Sequence, residues 1–154
     1  MTFNIFNFIN IAIVVLVILP EIMGRARQRL PYIGGQRSIN DFIFSASKFV
    51  SMALMIMPVM VKGGQLFFEE NRTMYIWLIT VIVMLIVYYV CWWRFPGSEF
   101  EQWMVAGILV LPCVIFLETG LRFKHTLLIF ASAVYLVMAF NTFSKYVETK
   151  ERLS

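Results

Sequence analysis

A bundle of five membrane-crossing helices, all-α and without a second domain, is the architecture this sequence predicts, and three observations predict it. The chain is 60% hydrophobic and only 14% charged, where a soluble domain carries about 25% charged residues; its mean hydropathy is +0.79. Five apolar runs follow one another along it, each near the roughly 20 residues that one crossing of a hydrocarbon core about 30 Å thick requires. Tyr75, Trp77, Trp92, Trp93, Trp103 and Tyr146 stand at the ends of those runs, where amphipathic rings prefer the headgroup region. With 154 residues, crossing consumes nearly the whole chain, which is therefore read as one transmembrane domain.

The opening run, MTFNIFNFINIAIVVLVILP, is preceded by no Lys or Arg and followed by no small-residue cleavage site, so it reads as a retained first span from about Phe3 to Met23. The second span runs from about Phe42 to Val61, with Pro58 breaking it near its end, and the third, Tyr75 to Trp93, is the most continuous. The fourth, from about Gln102 to Leu117, has 16 residues, or about 24 Å of helix, less than the hydrocarbon thickness. It is expected to thin the bilayer, borrow flanking residues or re-enter, so four spans plus a re-entrant segment is the alternative layout. The fifth runs from about His125 to Phe143 and ends in a charged tail, KYVETKERLS. Gly34-Gly35 and Gly63-Gly64 mark turns. The sequence has no internal repeat, which speaks against an inverted-repeat transporter.

The connection after the first span carries Arg25, Arg27, Arg29 and Arg37. Placing it inside puts eight Lys and Arg on the inner side and four on the outer, so retention of positive charge in the cytoplasm predicts an outside N-terminus and an inside C-terminus. The same arginines are candidates for holding anionic lipid headgroups, at about 1 kcal/mol per residue near the surface, although topology alone accounts for them. Net charge is +4, but the basic residues lie between and after the apolar runs without interleaved aromatics, which excludes a nucleic-acid surface.

Charge within the spans is the first place to look for chemistry. Asp41, Ser45, Lys48 and Ser51 are spaced four, three and three apart, on one side of a helix. The bland reading is that Lys48 extends its stem to the interface; the sharper one turns it inward, onto Glu21 or Asp41, making a polar vestibule that opens to the cytoplasm. Asn4, Asn7 and Asn10 share a face of the first span and are expected to bond across helices. Ser47 and Ser51 form a small-x-x-x-small pair, and Ala106, Gly107, Ala131, Ser132 and Ala139 are further positions where helices can approach.

The second place is LETGLRFKHT, residues 117 to 126, which holds Glu118, Arg122, Lys124 and the single His125. A tight extramembrane turn explains all four, with Gly120 in the left-handed conformation that ends a helix and the charges at headgroup level. The alternative is an outer site in which Glu118 and His125 exchange a proton, the acid and base of a lipid-modifying enzyme.

Met52, Met55, Met57 and Met60 share no single face and have no Cys or His beside them, so packing outweighs a soft-metal path. Cys91 and Cys113, both within apolar runs, are read as small buried residues. One His and no ligand cluster leave no haem, zinc or di-iron site to expect, and no cofactor; the phosphate-binding and hydrolase motifs are also absent from the sequence.

The stretch VYYVCWWRF followed by ILVLPCVIFLETGLRFKHTLLIFA, with Pro112, Gly120, Arg122 and His125, resembles a loose group of small multi-span membrane proteins of Gram-positive bacteria. That resemblance covers roughly the last half of the chain and implies a membrane-spanning fold and a home in the bacterial cytoplasmic membrane. The group carries no assigned activity, so it implies no reaction. The expectation from the whole sequence is a non-enzymatic accessory, sensory or immunity-type subunit that binds a membrane partner, lipid or further copies of itself, with a small-solute or ion transporter using the Lys48 stripe as runner-up.

Overall fold

Where each helix starts and stops follows from a few residues. The computed structural model describes residues 4–26, 39–57, 68–95 and 100–153, with the backbone alone at 24–26 and 153. Among them five helices succeed one another and no strand occurs: α1 (Ile5–Ala26), α2 (Ile39–Ile56), α3 (Asn71–Arg94), α4 (Glu101–Arg122) and α5 (Thr126–Leu153). Asn4 starts α1: its Oδ1 accepts from the Phe6 and Asn7 N–H groups at 3.0 and 3.3 Å, and Asn7 Oδ1 accepts from the Asn4 N–H at 2.9 Å. This reciprocal pair satisfies donors that a helix start leaves open. At the other end of the crossing, α2 stops at Ile56 because Pro58 disfavours helical backbone in the residue before it.

Two expectations about length are corrected. α4 has 22 residues, about 33 Å of helix, enough for a full crossing without thinning or re-entry. It continues past Leu117 because Thr119 Oγ1 bonds back to the Ile115 carbonyl at 2.8 Å and Arg122 reaches Glu118 one turn behind, at 3.9 Å. α5 has 28 residues and takes the charged tail into the helix. Tyr146 and Lys150, one turn apart on α5, both reach Glu101, the first residue of α4: the Tyr146 hydroxyl donates to Oε1, and Lys150 Nζ lies 3.0 Å from Oε2.

The helices close into a ring, α1 beside α2, then α5, α4 and α3, which returns to α1; α2 also touches α4 across the middle. α4 and α5 make the most extensive pair, and α1 is held more sparsely. Small residues set the close approaches. A Cβ on Gly107 would fall 2.6 Å from Cys91 Sγ, so α3 and α4 meet there only because position 107 has no side chain. Ala131, Ser132 and Ala139 are buried on α5, while Ala106 is half-buried.

The exterior is apolar, unlike that of a soluble bundle, and the apolar interior holds a few polar side chains. Phe8, Ile79 and Phe130 are 64%, 62% and 71% exposed, whereas Asn7, Asn10 and His125 are fully buried. All five helices are long and apolar enough to cross a membrane. Water would reject such a surface and hydrocarbon accepts it: the chain is an integral membrane protein.

The aromatic belt is only partly a belt. Tyr75, Trp93 and Trp103 are exposed, but Trp77 and Tyr146 are buried, because each finds a hydrogen-bond acceptor inside: Thr119 Oγ1 at 3.1 Å for Trp77 Nε1, and Glu101 for Tyr146. Both cysteines are free and buried. Met52 and Met55 are buried and Met57 is exposed. Met60, Pro58, Gly34-Gly35 and Gly63-Gly64 lie outside the described residues.

Candidate functional site

Pro20 shapes the end of α1 that carries Glu21. Its ring has no N–H, so the Leu16 carbonyl four residues back loses its helical donor. α3 fills the gap with Tyr89, whose hydroxyl donates to the Leu16 carbonyl, and the neighbouring Tyr88 hydroxyl adds a bond to the Val17 carbonyl, both at 2.9 Å. In hydrocarbon, where water cannot fill such a vacancy, a proline is tolerated because a neighbouring helix can.

Next to that junction, Lys48 Nζ donates to Glu21 Oε1. Of the partners the sequence offered Lys48, the structure forms Glu21. The pair is largely enclosed, with the Lys48 and Glu21 side chains 11% and 20% exposed. Each charge makes the other tolerable, since either alone in hydrocarbon is costly. Tyr88 and Tyr135 both lie within electrostatic reach of Glu21, and Cys113 within reach of Lys48. All five helices therefore contribute one polar side chain to this region: Glu21, Lys48, Tyr88, Cys113 and Tyr135. Tyr135 is wedged between Phe44 and Phe116, at ring distances of 5.3 and 6.2 Å.

The Lys48 stripe does not stay together. Lys48 and Ser51 are buried and Asp41 half-buried, but Ser45 is exposed. At about 100° per residue, Ser45 and Ser51 sit some 120° apart around the helix, too wide for one buried face. Ser51 and Ser47 spend their hydroxyls within α2, on the Ser47 and Phe44 carbonyls at 2.8 and 3.0 Å. Tyr88, Cys113 and Tyr135 are the members that sequence reasoning missed. Tyr135 alone gave a signal, a tyrosine deep inside an apolar run rather than at its edge.

The other end of the bundle answers the question posed by LETGLRFKHT. Gly120 is helical, not left-handed: a Cβ there would stand 3.1 Å from the Ile129 amide nitrogen and Cγ1, so its lack of a side chain admits the first turn of α5. The left-handed residue is Lys124, at φ 53°. His125 follows it, fully buried rather than exposed at the surface. It caps α5, with Nδ1 accepting from the Leu128 N–H at 3.3 Å while Nε2 lies 3.0 Å from the Met57 carbonyl oxygen. An acceptor at Nδ1 fixes the proton of the neutral ring on Nε2, which donates to Met57.

The expected proton exchange between Glu118 and His125 is not assembled. Both ring nitrogens of His125 are committed to backbone groups, and Glu118 Oε2 is buried without a hydrogen-bond partner among the described residues. Arg122 reaches Glu118, and Lys124 turns away to Glu69 at 2.5 Å on an exposed surface.

α2 ends here under three side chains. Asn10 Nδ2 donates to the Met55 carbonyl at 2.9 Å, Asn7 Nδ2 to the Ile56 carbonyl at 2.6 Å, and His125 to Met57. The final carbonyls of a helix have no intrahelical donor, and all three of these find one from α1 or from the start of α5. Around them Phe6, Phe68, Trp77 and Phe123 pack at ring distances of 4.6 to 5.8 Å.

Of the arginines expected at the headgroups, Arg27, Arg29 and Arg37 lie outside the described residues, as does the side chain of Arg25, although its backbone belongs to α1. No group of three or more His, Cys, Asp or Glu side chains that could hold a metal comes together among the described residues. No family model, curated protein or solved structure matches this chain.

Proposed function

We propose that this chain is a non-enzymatic membrane subunit, of accessory, sensory or immunity type, whose outward faces bind a membrane partner or lipid. The observation that carries this reading is where the interior polarity goes. Asn7, Asn10 and His125 are spent on the end of α2, Tyr88 and Tyr89 on the Val17 and Leu16 carbonyls of α1, and Lys48 on Glu21. What such a molecule offers its surroundings is the apolar exterior. The arrangement of charge predicts the N-terminus outside and the C-terminus inside, in a bacterial cytoplasmic membrane, and reporter fusions to the two termini test that orientation.

A second reading, passage of a small ion or solute, draws on the convergence of Glu21, Lys48, Tyr88, Cys113 and Tyr135 from five helices on one region, since buried ionisable groups commonly line conduction paths. One experiment separates the two. Purified protein in liposomes is assayed for proton, sodium and potassium flux, alongside the paired variant Glu21→Leu/Lys48→Leu. Flux that the paired variant abolishes establishes transport and overturns the binding reading; absence of flux from protein shown to be folded supports it.

A further inference from the structure

On the outer side of the sparse α1–α3 junction lies an open groove of about 760 Å³, within the roughly 300–1,000 Å³ range of small-molecule sites. Leu16 forms its α1 wall. Its α3 wall runs from Ile82 to Trp93 on positions three and four apart, one continuous face of the helix. Arg94, the last residue of α3, closes the end. The one hydroxyl in the lining, that of Tyr89, is already committed to the Leu16 carbonyl, so the trough is apolar up to its cationic tip. Arg94 is exposed and pairs with no carboxylate among the described residues.

We propose that this groove holds one acyl chain of an anionic glycerophospholipid whose phosphate sits on Arg94. Length, polarity and charge agree on that occupant. From Ile82 to Arg94 the helix rises about 18 Å, close to the roughly 15 Å depth of a single leaflet. A chain lying along it reaches from mid-bilayer to the headgroup level, where the guanidinium forms charge-assisted hydrogen bonds with phosphate oxygens. A favourable position at the α3 C-terminus explains a cation at 94, but not an apolar trough leading to it. A second copy is a poorer occupant, because a twofold axis along the membrane normal sets one Arg94 beside the other at the same depth. The proposal rests on the lipid-binding part of the reading above and fails separately from it: a groove without lipid preference leaves protein partners untouched.

Trp93, 87% exposed at the groove end, is a built-in reporter. Full-length protein is reconstituted in phosphatidylcholine nanodiscs, and its emission, less that of Trp93→Phe, is followed as either dibrominated phosphatidylglycerol or dibrominated phosphatidylcholine replaces the host lipid. Half-quenching of the Trp93 signal is expected at about one fifth of the mole fraction for the anionic lipid, the ratio that one basic residue confers near a membrane surface. Arg94→Gln brings the two curves together, and Arg94→Lys, keeping the charge, holds them apart. Superimposed curves in the native protein overturn the proposal. So does a preference that survives Arg94→Gln, and so does a Trp93 signal that neither lipid quenches, since another protein surface then covers the groove.

Discussion

His125 Nε2 donates to the Met57 carbonyl oxygen over 3.0 Å while its Nδ1 accepts from the Leu128 N–H at 3.3 Å, so one neutral imidazole caps the start of α5 and the end of α2 together. Removing it leaves an open donor and an open acceptor in a place without water. His125→Ala is expected to lower stability by about 1–2 kcal/mol, the size of a lost N-cap at the upper end of its range. His125→Asn, which can still cap Leu128 but cannot reach Met57, falls between. Denaturant titration of the purified protein in mild detergent measures both.

Glu21 and Lys48 stabilise one another, so losing either exposes the other. Glu21→Gln or Lys48→Leu is expected to cost about 3–5 kcal/mol, and the combined Glu21→Leu/Lys48→Leu less than either alone. The same titration gives the double-mutant cycle; a combined cost equal to the sum of the two singles would refute a coupled pair.

How much of this was legible beforehand depends on the range of the interaction. Helix number and membrane residence are set by the length of apolar runs, which is local, and those were readable. Boundaries moved outward where a polar residue found a partner on another helix: Thr119 with Trp77, and Tyr146 and Lys150 with Glu101. The Glu21–Lys48 pair was within reach of reasoning because both residues are charged and unusual in a span. Tyr88 and Cys113 were not, since a tyrosine near the end of an apolar run and a cysteine within one carry no mark of which way they face. The burial of His125 is not legible in its surroundings in the sequence, because its acceptor, Met57, lies 68 positions away.

Gly107 and Cys91 make a packing pair across α3 and α4. Gly107→Ala places a methyl group against the sulfur and is expected to cost about 1–3 kcal/mol through overpacking. Cys91→Ala clears that space, so Gly107→Ala should be markedly milder in its presence. Equal costs in the two backgrounds, by thermal denaturation in detergent, would show that the helices are not in contact at this point.

Tyr89 matters because of Pro20. Tyr89→Phe is expected to cost about 1 kcal/mol, the net worth of one hydrogen bond, when Pro20 is present. In a Pro20→Ala background the restored amide supplies the Leu16 carbonyl from within α1, and the cost of Tyr89→Phe should vanish. Unfolding midpoints of the four proteins in the cycle provide the check.

That last arrangement also bears on the order of biogenesis. The donor for the Leu16 carbonyl comes 73 residues later in the chain, so while α1 is being inserted that oxygen is bare and has no tyrosine to meet it. Until α3 arrives, α1 is expected to linger where the translocation machinery or a bound water can serve that oxygen. α1 leaves the ribosome before α3 and yet takes its final seat only after it.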